Sequence, residues 1–186
     1  MQTLALLAVD RNRLRPFFER VPELFEMHHH QAEEDPEGYE ELLYKVYRPY
    51  PNHMFGLIDE WMGLEELKIS SEQEIMLRLF LLAIRYPDTL LFESLDDVMT
   101  SDLRRLSAYL HFTSHTYAIW DEDTRKGLAK LGFEIPATEE ADPFIYGAYV
   151  GTIELLKDLA PFTCFLEHDV PRQRLFQAAL AAYGRE

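Results

Sequence analysis

Apolar residues recur along this chain at spacings of three and four, and proline or capping residues separate the runs. That is the signature of amphipathic helices. Asp35-Pro36-Glu37 supplies a cap, a proline suited to the first helical position, and an acid favoured by the helix dipole. The run behind it places Tyr39, Leu42, Leu43, Val46 and Tyr47 at i, i+3, i+4, i+7 and i+8, and Pro49 and Pro51 end it. Pro22 is read in the same way as the start of a helix through Met27, and Asn52 as the cap of a short one through Met62. Ser71 with Glu74 matches a capping box, in which two side chains satisfy two orphan backbone donors. Thr100 or Ser101 would cap a helix over 102–117. Asp121 opens another that stops at Gly132, Asp142-Pro143 opens a third, and Pro171 a last one closed by Gly184.

The segment Ile75–Tyr86 is apolar on most sides. A helix of that kind is normally central in its domain, so it is expected to be the hub. Strand signals are weak: Leu4–Val9 and Thr89–Phe92 could extend, but no hairpin dipeptide follows either. The expectation is an all-α single domain over 1–186, with about seven to nine helices around that central apolar helix, and with residues 134–142 as the main loop.

Composition narrows the function. The chain has 186 residues, 33 acids and 18 bases, for a formal charge of −15. Such a field repels phosphate backbones and anionic membrane surfaces, so neither nucleic acid nor membrane is an expected partner. Arg11, Arg13, Arg15 and Arg20 cluster near the start, and pairing with acids on neighbouring helices accounts for them better than nucleic-acid binding. The first apolar run is too short to span a bilayer, and its bases follow rather than precede it, unlike a secretory leader. A cytoplasmic protein is expected. Cys164 is the only cysteine, which excludes an intramolecular disulfide, and its apolar neighbours point to a buried thiol.

Candidate chemistry is sparse. There is no glycine-rich phosphate loop and no nucleophile elbow. His111 and His115 stand four apart on one predicted helix face, the spacing of paired helical metal ligands. With Asp121 or Asp123 they could hold zinc or another divalent metal for a hydrolase. The motif lacks the internal glutamate of the zinc-protease pattern. His28-His29-His30 cannot chelate one ion while helical, because adjacent residues point about 100° apart.

The acidic blocks suggest more. Glu93, Asp96 and Asp97 form one block and Asp121, Glu122 and Asp123 another, with Trp61 and Trp120 as candidate apolar anchors. Long-range attraction to a basic surface would speed association. The expected function is therefore a protein-binding module, without a cofactor, that masks a basic partner. An immunity protein inhibiting a toxin is its most concrete form, and the metal-dependent hydrolase built on His111 and His115 is the alternative.

Overall fold

The computed structural model describes residues 11–31, 36–46, 53–84, 102–114, 117–138, 142–165 and 170–186. These residues are all-helical, with no strand among them. In chain order the helices are α1 (Arg11–Gln31), α2 (Pro36–Val46), α3 (Met54–Trp61), α4 (Ser71–Ala83), α5 (Leu103–Ser114), α6 (Glu122–Lys130), α7 (Pro143–Leu159) and α8 (Arg172–Arg185). A short 3₁₀ turn, Phe162–Phe165, precedes α8.

Local chemistry sets most of the starts. Asp142 Oδ1 accepts from the amides of Phe144 (2.8 Å) and Ile145 (2.9 Å) at the head of α7. Asp121 Oδ2 does the same for Thr124 (2.7 Å) at α6, and Gly132 takes the positive φ of 94° just beyond that helix. These anionic caps satisfy amides that no helix can satisfy internally. Other boundaries move. The box at α4 uses Ser70 and Gln73, one residue earlier than Ser71 and Glu74. Asp102 itself caps α5, accepting from the amides of Arg104 and Arg105; Thr100 and Ser101 lie outside the described residues, as do Asn52 and both strand candidates. At α3 the cap position is His53, in the left-handed conformation and without a side-chain cap.

Pro22 does not start a helix: it and Pro16 lie inside the 21-residue α1. An interior proline costs roughly 3 kcal/mol in lost hydrogen bonding and steric clash. Burial of Leu14, Phe17, Phe18, Val21, Leu24 and Phe25 along one side of α1 offsets it.

The hub is α8, not α4. Nine residues of α8 are buried, from Gln173 to Ala182, and it packs against α1, α6 and α7. Its alanines let neighbours approach from several directions. A Cβ on Gly127 of α6 would strike the Leu180 carbonyl, and one on Gly184 would strike the Asp123 carbonyl, so these two helices meet backbone to backbone. Gly184 therefore does not end α8, which runs on to Arg185. By contrast α4 buries only Leu77 and Leu81. Its Ile75, Met76, Leu79 and Leu82 are 60%, 66%, 57% and 53% exposed. Tyr86 and Pro87 lie outside the described residues.

Candidate interaction surface

A buried ionic node fixes the chain ahead of α4. Asp59 of α3 is fully buried. Its Oδ1 accepts from Arg105 Nε (3.1 Å), and its Oδ2 accepts from Tyr109 Oη (2.9 Å) and the Leu67 amide (2.9 Å). Arg105 Nη2 donates in turn to the Glu65 carbonyl. One carboxylate thus ties α3, α5 and the 64–69 segment together. It holds the start of α4 while the outer side of that helix faces water.

On that outer side, Ile75, Leu79 and Leu82 follow one another at four- and three-residue steps, and Met76 borders Leu79. They form one stripe along the helix axis. Leu77 and Leu81 project from the opposite side into the core. Glu72 lies at the N-terminal end of the stripe, and Glu65 and Glu66 are exposed in the segment leading into the helix. Within 53–84 six acids face two bases, Lys68 and Arg78.

The sequence-derived acidic block at the start of α6 does other work. Asp121 caps the helix and also accepts from Thr124 Oγ1 at 2.7 Å. Glu122 pairs with Lys126 at 3.0 Å. Asp123 pairs with Lys126 and Arg185, each at 3.2 Å. Partial burial pushes the Asp123 carboxyl up, but those two cations outweigh it and hold it below its ordinary range. Much of this block's charge is therefore met locally. Glu93, Asp96 and Asp97 lie outside the described residues.

Trp120 is 7% exposed and therefore no surface anchor. Its amide donates to Ser107 Oγ (2.7 Å), its ring meets Tyr149 edge-on, and Arg125 stacks over it. Trp61 is half-buried between Tyr39 and Phe112, with ring centroids 5.9 and 5.5 Å away.

His111 is fully buried at the heart of this aromatic group. A carbonyl can only accept, so Nδ1–H donates to the Tyr117 oxygen (2.7 Å), and Nε2 accepts from Tyr39 Oη (2.8 Å). Burial, with the nearby Arg174 cation, lowers its pKa to about 4. The imidazole is neutral at pH 7 and uses both nitrogens in holding α2 and the 117–119 segment to α5. In this arrangement neither nitrogen offers a lone pair to a metal. His115 lies outside the described residues, and no group of three metal-ligating side chains occurs among them.

The remaining sequence-derived features are structural. Cys164 is buried, its thiol donates to the Phe18 carbonyl (3.3 Å), and burial raises its pKa. Of the N-terminal arginines, Arg20 pairs with Glu186 of α8, as the expectation of pairing across helices requires, whereas Arg15 pairs with Glu19 within α1 itself. No helix among the described residues is long and apolar enough to cross a membrane.

Comparison with protein-family models, characterised proteins and solved structures finds no match to this chain.

Proposed function

We propose that this protein is an acidic helical interaction module, and that the outer face of α4 receives an amphipathic, positively charged segment of a partner protein. The observation that carries the reading is the stripe Ile75–Met76–Leu79–Leu82, left exposed on a molecule of charge −15. Contiguous large apolar side chains at the surface mark interaction sites far more often than scattered ones do. Their periodicity matches a helix laid along α4, the mode in which anchors at i, i+3/i+4 and i+7 meet a partner's apolar face.

Charge selects among occupants. A second copy of the chain would bring another −15 to the contact and be repelled. A partner with basic flanks would instead be drawn toward Glu65, Glu66 and Glu72, gaining association rate from the long-range field. An immunity-type inhibitor that covers a basic toxin is the most concrete member of this class. In it the α4 stripe takes the anchoring role first given to the tryptophans, and Glu93, Asp96 and Asp97 add to the negative field.

A pair of synthetic amphipathic helical peptides tests the reading. They share one apolar face and carry either lysines or glutamates on the other. The full-length chain should bind the lysine peptide, more weakly as salt rises, and Leu79→Ser should reduce binding at least about tenfold, the equivalent of one lost apolar anchor. Equal binding of both peptides, or binding indifferent to Leu79→Ser, refutes it. A dimer in sedimentation that Leu79→Ser dissolves would assign the face to a second copy instead.

A further inference from the structure

Helix α4 is fixed at both ends. Ahead of it, Asp59 holds the Leu67 amide (2.9 Å) and Arg105 holds the Glu65 carbonyl. Behind it, Tyr117 Oη donates to the Ile84 carbonyl (3.0 Å). The stripe between these anchors is therefore a preformed surface, and charge is spread unevenly along it. Residues 65–74 expose Glu65, Glu66 and Glu72, with Lys68 as the one base, whereas residues 75–84 hold no acid and only Arg78. Lys68 is mostly exposed and pairs loosely with Glu65 at 3.8 Å. Glu72 stands three and four residues before Ile75 and Met76, so it heads the stripe on the same side of the helix.

Length and polarity together constrain what lies on such a surface. From Ile75 to Leu82 the stripe rises about 10 Å, so a partner helix matching it needs only about two turns of anchors. A helix that short does not persist alone in water. It forms on docking, and the chemistry of its own ends then counts toward binding. Cations stabilise the last turn of a helix and oppose the dipole in the first. Along α4, acids that attract cations stand at the N-terminal end. Both conditions are met when the partner's last turn lies over Glu72, which also sets its negative dipole end beside the positive end of α4. In the parallel arrangement the same cations would occupy the partner's first turn, against its own dipole.

We infer that the partner segment folds on docking into a short helix antiparallel to α4, and that its basic residues follow its apolar anchors in sequence. The partner's signature is then a set of apolar residues at i, i+3 or i+4, and i+7, with lysine or arginine in the turn after them. This inference rests on the reading of α4 as the docking face.

Two synthetic peptides of one composition, acetylated and amidated at their ends, test it against the ¹⁵N-labelled full-length chain. One carries its lysines after the apolar anchors and the other before them. The lysine-last peptide should bind about tenfold more tightly than its isomer. A nitroxide at its C-terminus should broaden the amide resonances of Glu72 and Glu74 and spare those of Leu82 and Ala83, and a nitroxide at its N-terminus should do the reverse. Glu65→Gln combined with Glu72→Gln, both exposed changes, should weaken the lysine-last peptide about fivefold. Equal affinities, tighter binding of the isomer, broadening at the wrong end or at both ends alike, or no loss in the double variant would each overturn the orientation and leave the docking face standing. If neither peptide broadens any amide of α4, the face and the orientation fail together.

Discussion

Helices α4 and α8 are both rich in apolar residues, yet one lies at the surface and the other at the centre. The reason is side-chain size. In α8 the run Gln177–Ala182 is mostly alanine, so α1, α6 and α7 pack close around it. Bulky Ile75, Met76, Leu79 and Leu82 fill the outer side of α4, while Leu77 and Leu81 on the inner side meet the core. Counting apolar residues ranks α4 first. What makes a helix central is how many neighbours can reach it, and small residues admit more of them than large ones.

The sharpest break of this comparison lies at the node that anchors α4. Asp59→Ala strands Arg105 in a largely buried position and should cost about 3–5 kcal/mol, the range for losing one partner of a buried pair; urea unfolding measures it. If the cost falls below about 1 kcal/mol, the node does not hold the start of α4.

Acidity probes the aromatic group between the two regions. The His111 pKa is depressed to about 4 from an ordinary 6.5, so the unfolded chain binds a proton at a pH where the folded one does not. The stabilisation is complete above about pH 6.5 and is lost as pH falls toward 4. It amounts to about 3 kcal/mol for a shift of that size. Stability curves of the wild type and His111→Phe should draw together over that window, and parallel curves would show that His111 is not held neutral.

Close packing around α8 comes next. Gly127→Ala should cost about 1–3 kcal/mol through overpacking, because the added methyl meets a main-chain carbonyl. A neutral result would mean that α6 and α8 are not in backbone contact. The smallest effect is expected on α4, where Leu79→Ser should change stability by no more than about 0.5 kcal/mol, as surface substitutions do. A loss above about 2 kcal/mol would show that the stripe is covered within the chain.

What the sequence disclosed follows from how local each determinant is. The caps at Asp121 and Asp142 and the stop at Gly132 act within a few residues, and they were legible. Pro22 misled because its penalty is offset by the burial of its own helix's apolar side against α8, far along the chain, where Phe17 and Phe18 meet Phe176. Gly184 resembled a stop signal, but its role depends on Asp123, far away in the chain. His111 and Trp120 carried the residue types of a site, and only the fold reveals that both His111 nitrogens are already engaged and that the Trp120 ring is buried.

The Gly127–Gly184 crossing restricts how this molecule can be re-engineered. Where two main chains touch, no side chain is present to exchange, and so no conservative replacement exists. A designer could redraw much of the exposed exterior, including the α4 stripe, and keep the architecture, whereas a single methyl group at either glycine would force two helices apart and move the scaffold that carries everything else.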